Sequence, residues 1–193
     1  MSMKKVEYIP IGMYCKIAVT LRKKGLRNNA YPFDWMLTPM ESVYKLCKHG
    51  FDGFLNDIWM GEKVHQVYVN DRDAGYDRIE DYIYPVIDTT YNINLPHSYR
   101  GKDQESINKV RKTFERRINR FYHTISNTDI QKKFVYQFSS PNEGQIKWYQ
   151  ESGAINFKSS FVHKNSEIYL DKIKDYFSST YDNVEFIELD NVR

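Results

Sequence analysis

Cys15 and Cys47 are the two thiols of the chain, and five histidines accompany them. A thiol works as a nucleophile when a base, most often His, takes its proton and a third group orients that base. Cys15 follows a turn at Gly12, where a β-favouring run (Val6 to Ile11) gives way to helical periodicity over Cys15 to Lys24. Partial positive charge at a helix N-terminus favours a thiolate. Such a turn also lies at the sheet edge where α/β proteins place their sites. The competing reading is a packed residue, because free Cys is among the most buried types. Cys47 falls mid-helix on an apolar stripe and reads as core. Among the histidines, His97 closes the extended run Tyr91-Asn92-Ile93-Asn94-Leu95-Pro96-His97 and is the best-placed base. His49 falls at a helix C-terminus, His123 off the apolar stripe of a long helix, His163 in a polar connection and His65 at the start of an extended run.

Periodicity gives the elements that must hold these groups. In the first helix Cys15, Ala18, Val19 and Arg22 share a stripe, and Gly25 is a natural stop. Pro32 forces Tyr31 to be extended. Thr38 is the expected cap of a second helix, with Pro39 at its first position and Glu41 completing a capping box. That helix runs to about His49 and turns Val43, Leu46 and Cys47 inward. After the aromatic connection from Phe51 to Met60, extended runs are expected at Val64 to Val69, Tyr82 to Ile87 and Tyr91 to Leu95, with an acidic loop from Asp71 to Asp81. Ile107, Val110, Phe114, Ile118, Phe121 and Ile125 form an unbroken apolar stripe over Gln104 to Ile125, the clearest helix of the chain. Lys133 to Phe138 has no period-two polarity and reads as an interior strand. A loop from Pro141 to Gly153, a helix capped at Asn165 or Ser166 and ending near Phe177, and a strand from Val184 to Leu189 complete the order. It predicts a single α/β domain over residues 1–193, with a mixed or parallel sheet flanked by helices.

Composition removes several classes. The chain has 193 residues, enough for one core, with a net charge of +3 and a mean hydropathy of −0.67. No stretch approaches the ~20 apolar residues of a membrane helix, so no membrane partner is expected. Glu7 and Pro10 interrupt the run behind Met1-Ser2-Met3-Lys4-Lys5, which is therefore read as no secretory segment. A cytoplasmic location with both thiols reduced is expected, the host cytoplasm if the source is a virus. Sixteen Tyr and eleven Phe argue against disorder. Phosphate-binding glycine loops and zinc spacings are absent from the sequence. Asp71-Arg72-Asp73-Ala74-Gly75 begins like a calcium loop, but the glycine comes one position early and Tyr82 stands where a Glu is needed. No metal and no cofactor are expected.

Three segments together carry a resemblance: Ile11-Gly12-Met13-Tyr14-Cys15-Lys16-Ile17-Ala18, Leu21-Arg22-Lys23-Lys24-Gly25-Leu26-Arg27 and Tyr31-Pro32-Phe33-Asp34-Trp35. They resemble a domain family of unknown function, found in bacteria and large DNA viruses and described as papain-like cysteine peptidases. Thr38-Pro39, Phe51 to Leu55, His97 and the helix from Arg116 to Phe121 extend the similarity over most of the chain. The resemblance implies Cys15 as nucleophile and His97 as base. Asp34 is the carboxylate of the signature, either orienting a histidine or accepting backbone N–H bonds to hold the loop beneath Cys15. Phe33 and Trp35 read first as loop anchors; Tyr14, Trp35, Arg116 and Arg120 are the candidate substrate contacts. The family favours Ser and Asn where this chain has Ile11 and Tyr14, and an acidic residue where it has Ser98. A side-chain donor beside the nucleophile is worth roughly 10²–10³ in rate; the Tyr14 hydroxyl can supply one from a different place, and the helix N-terminus after Gly12 is expected to supply backbone donors.

Lys109, Lys112, Arg116 and Arg120 recur at helical spacing, and Arg111 and Arg117 widen the basic face. A solvated face is one reading; docking of an anionic ligand or partner is the other. No nucleic-acid-binding motif accompanies the face, so nucleic acid is the weaker partner. The expectation is thiol-dependent acyl transfer on a peptide or acyl substrate, as a peptidase, amidase or acyltransferase. The alternative is a non-catalytic domain that docks an anionic partner through residues 109–120. The sequence carries no signal for oligomeric state.

Overall fold

The computed structural model describes residues 4–12, 15–72, 75–138 and 165–192. The order is β1 (Lys5–Pro10), α1 (Lys16–Lys23), a 3-10 turn (Pro32–Trp35), α2 (Met40–Lys48), β2 (Ile58–Met60), β3 (Val64–Arg72), β4 (Gly75–Asp88), β5 (Ile93–Tyr99), α3 (Gln104–Ser126), β6 (Ile130–Tyr136), α4 (Ser166–Thr180), β7 (Val184–Glu188) and a 3-10 turn (Leu189–Asn191). The expected loop from Pro141 to Gly153, and His163, lie outside the described residues.

Two sheets result. In the first, β6 runs parallel between β1 and β7. Its apolar pair Phe134 and Val135 is fully buried, as an interior strand requires. In the second, β4 pairs antiparallel with β3, β2 and β5. Ile87 faces Trp59 on one side and Asn94 on the other, so the end of β4 lies between β2 and β5. Leu37 extends this sheet, exchanging backbone hydrogen bonds of 2.8 and 3.0 Å with Asn94. The fold is α/β with mixed pairing, as the element order implies.

A continuous apolar core joins the two sheets. Ile9 and Phe134 enter it from the parallel sheet, Val86, Leu95 and Tyr99 from the antiparallel one, and Phe114, Phe121 and Ile125 from α3. Phe121 is central: its ring centroid lies 6.0 Å from Phe33, 6.2 Å from Phe51, 6.4 Å from Phe134 and 6.1 Å from Phe177. Such tilted and edge-on pairs add to the effect of burial.

Four local expectations change. Along α1 the buried residues are Ile17, Ala18 and Leu21, while Arg22 is exposed. The inner face is thus rotated by a residue from the stripe read in the sequence, because Ile17 and Leu21 outweigh Val19. Pro39, not Thr38, is the N-cap of α2, and no side chain caps it. Most of the acidic run from Asp71 to Asp81 is hairpin rather than loop, with β3 and β4 in register out to Arg72 opposite Gly75. Backbone pairing there overrides the low strand propensity of Asp. The strand bearing His97 runs on to Tyr99, so Pro96 stands inside it rather than closing it.

Glu7 and Lys132 stand directly across β1 and β6 and are both buried. They do not pair with each other. Glu7 takes the Tyr31 hydroxyl at 3.1 Å, the Asn29 amide at 3.3 Å and Lys5 at 2.8 Å. Lys132 Nζ donates to the Asp182 carbonyl at 2.7 Å. Each buried charge is hydrogen-bonded, which is the condition for tolerating it.

Candidate active site

Past the end of β1, the Ile11 N–H still bonds the Val135 carbonyl at 2.8 Å. Gly12 then turns the chain with φ +65°. A Cβ there would stand 2.8 Å from Met40 Cε and 3.5 Å from the Thr38 carbonyl, so the turn needs glycine for its backbone and for room. Cys15 is the N-cap of α1, its carbonyl accepting from the Val19 N–H at 3.0 Å. The residue is half-buried. Burial nevertheless pushes its thiol up to about 12; a backbone hydrogen bond pulls the other way, and the Asp34 charge adds to the rise. The thiolate expected from the helix terminus is therefore not the resting form, because desolvation outweighs the dipole. Cys47 is buried in the core, and burial raises its thiol too. Tyr14 lies outside the described residues.

Asp34 sits in the 3-10 turn after the extended Tyr31, with Pro32 opening the turn. Its Oδ2 accepts from Arg27 Nε at 3.1 Å, from Arg27 Nη2 and from the Tyr31 N–H at 3.1 Å. The side chain is fully buried, and burial raises its pKa against the opposing pull of Arg27 and Arg117. This is the loop-holding geometry. Trp35 is half-buried, with the Arg27 guanidinium 6.0 Å from its ring, and Phe33 is buried in the core. The turn packs on α1, α3 and β5, and so stands between the helix that carries Cys15 and the strand that carries His97.

His97 lies where β5 departs from regular pairing. Tyr84 faces Tyr99 and Val86 faces Leu95, so the Leu95–Tyr99 span is longer than its partner span on β4. Pro96, which has no N–H for the ladder, falls inside this bulge. Bulges re-aim side chains and gather beside active sites. Burial holds the His97 imidazole down to about 4, and the nearby Arg100 pushes the same way. The Arg100 side chain also donates to the His97 carbonyl at 2.7 Å.

The profile of a family described as "Putative papain-like cysteine peptidase (DUF1796)" matches residues 6–170. The chain belongs to this family. It is 27% identical over 135 residues to "Uncharacterized protein R408" of Acanthamoeba polyphaga mimivirus. That alignment covers 67% of this chain and 59% of the viral protein, so the chain spans less than two thirds of its relative. No solved structure matches the chain. The matched range spans Cys15, Asp34 and His97.

The basic face of α3 divides when folded. Lys109, Lys112 and Arg116 are exposed, whereas Arg111, Arg117 and Arg120 are half-buried. Arg120 donates to the Ala30 carbonyl at 2.8 Å, just before the Asp34 turn. Arg111 donates to the Leu55 carbonyl at 2.9 Å, while the Leu55 N–H donates to Asp88 at 2.6 Å. Two charged side chains thus hold a residue whose φ is +63°, a strained value for Leu. A cavity of about 380 Å³ lies between residues 50–55 and α3, lined by Phe51, Phe54, Arg111 and Phe114 among others; it does not touch Cys15, Asp34 or His97.

Sequence reasoning missed Arg27 and Arg117 as members of the Asp34 cluster, and the buried polar side chains of Thr38 and Asn94. Thr38 Oγ1, both amide atoms of Asn94, Asp34 Oδ1 and Arg117 Nε are buried without a hydrogen-bond partner among the described residues. The signal was partly present, since Arg27 and Asp34 stand close together in the sequence. Among the described residues, no three His, Cys, Asp or Glu side chains gather closely enough to hold a metal ion. No described helix is long and apolar enough to cross a membrane.

Proposed function

We propose that this chain is a thiol hydrolase acting on amides or thioesters, with Cys15 as nucleophile and His97 as base. One observation carries the reading. Cys15 caps a helix at the carboxyl end of a parallel strand, where α/β folds place their sites, and the turn beneath it also packs on the strand bearing His97. In an amide reaction Cys15 Sγ attacks the carbonyl carbon as its proton passes to the neutral imidazole of His97. The imidazolium then protonates the leaving nitrogen as the C–N bond breaks. Water hydrolyses the thioester, releasing the acid and restoring the thiol; another acceptor in place of water makes the same chain an acyltransferase. The first N–H groups of α1 are the donors for the developing oxyanion. Reduced thiols suit the cytoplasm, which is part of this reading.

Burial raises the thiol and lowers the imidazole, so the pair rests as thiol and neutral imidazole rather than as an ion pair. This observation also favours a second reading, a non-catalytic domain with Cys15 packed. Alkylation by iodoacetamide across pH, with the modified residue located by mass spectrometry, separates the two. A hydrolase gives Cys15 labelling that slows on His97→Ala and acyl-ester turnover lost on Cys15→Ser. Labelling that waits for unfolding, with no turnover of any acyl ester, establishes the packed thiol.

A further inference from the structure

Lys109 and Arg116 stand in solvent on one side of α3, about two turns apart. Beside them Arg117 and Arg120 lie half-buried toward the Asp34 turn, where Arg27 joins them through its contact with Asp34. The charges of Arg27, Arg116 and Arg120 all bear on Arg117, and Asp34 is the acidic group that answers them. That carboxylate already accepts Arg27 and the Tyr31 N–H on one oxygen. Arg117 Nε, screened from solvent, meets no acceptor among the described residues. Arg27 and Arg117 share the one Asp34 carboxylate, and the charges of Arg116 and Arg120 bear on Arg117, which leaves positive charge in excess at a partly desolvated side chain. Such an arrangement is costly until an anion joins it. Paired N–H groups of a guanidinium match the paired oxygens of carboxylate and phosphate. Exposed Arg116 and Lys109 give an anion a path from solvent.

We propose that Arg116 and Arg117, backed by Arg27 and Arg120, form a subsite for an anionic group, carboxylate or phosphate, on the molecule that Cys15 attacks. The last clause rests on the thiol reading; the subsite itself does not. Inorganic phosphate and N-acetylglutamate are titrated into the protein at constant ionic strength, with melting temperature and heat of binding as readouts. Saturable binding is expected, weakened at least tenfold by Arg116→Glu and by Arg117→Gln. Lys172→Glu, the same charge change on the exposed face of α4, should leave it unchanged. A response to phosphate alone identifies a phosphate subsite, and one to N-acetylglutamate alone a carboxylate subsite. No saturable response to either anion overturns the proposal, as does an equal response in Arg116→Glu and Lys172→Glu. Should Arg117→Gln fail to fold, the exposed Arg116 still decides. Cys15→Ser should bind the anions as the native chain does, so an inert thiol removes the hydrolase reading while the subsite stands.

Discussion

The parallel and antiparallel sheets deliver their candidate residues by opposite means. In the parallel sheet, regular pairing continues to the Ile11–Val135 bond, and the chain then turns at Gly12 ahead of Cys15. In the antiparallel sheet the pairing itself is broken, and His97 sits in the irregular span of β5 opposite Tyr84 to Val86. The thiol thus depends on a helix terminus and a glycine, the imidazole on a proline within a strand. What they share is the Asp34 turn between them. The comparison teaches that the site's geometry is set less by either sheet than by the packing that fixes one against the other.

The largest test removes that packing. Phe121→Ala should cost ~4 kcal/mol, the usual scale for a fully buried Phe. Because Phe121 touches β6, α4, residue 51 and the turn, urea unfolding should stay a single transition at lower midpoint. Two separated transitions would show that the sheets unfold independently and would break the comparison.

Asp34→Asn comes next, at about 3 kcal/mol, since it leaves Arg27 and Arg117 without their carboxylate. It also sharpens the account of the thiol. The Asp34 charge raises the Cys15 pKa, so the variant should alkylate faster at a given pH. An unchanged alkylation profile would mean that Asp34 acts on Arg27 alone.

His97 supplies a smaller, pH-dependent effect. Its folded pKa of about 4 lies below the ordinary value of 6.5, so the unfolded chain takes up the proton first as pH falls. Stability owed to the neutral imidazole is complete above pH 6.5 and is lost down to about pH 4. At pH 5 the loss should be about 2 kcal/mol, and His97→Gln should remove it from the difference between denaturation midpoints at pH 7 and 5. Equal acid sensitivity in both proteins would place the imidazole in solvent.

Thr38→Val should be the mildest change. The Thr38 hydroxyl is buried with no hydrogen-bond partner among the described residues, so an isosteric methyl should be neutral or stabilising by less than ~1 kcal/mol. A clear loss of stability would reveal a partner for Thr38 Oγ1.

Where local physics governs, the sequence was readable. The stripe from Ile107 to Ile125 became α3, the glycine turn before Cys15 formed, the inner face of α2 is the one that periodicity selects, and the run without period-two polarity became the interior strand β6. The remainder depends on partners distant in the chain. Thr38 has the type and spacing of a cap, yet Pro39 takes that place while Thr38 is buried. Desolvation of Cys15 comes from neighbours that no helix-end rule contains. Arg117 looked like one more charge on a solvated face until the fold set it against Asp34. Glu7 and Lys132 were unexpected in a buried sheet because their acceptors and donors lie on Asn29, Tyr31 and Asp182.

A thiol that keeps its proton up to about pH 12 is also a poor target for oxidants, since peroxide and disulfides react with the thiolate. At neutral pH the raised pKa leaves its thiolate fraction well below that of free cysteine. The burial that keeps Cys15 from reacting at rest therefore also keeps it reduced. The chain should pass through peroxide stress with Cys15 intact, without a reductant and without a second thiol to guard it.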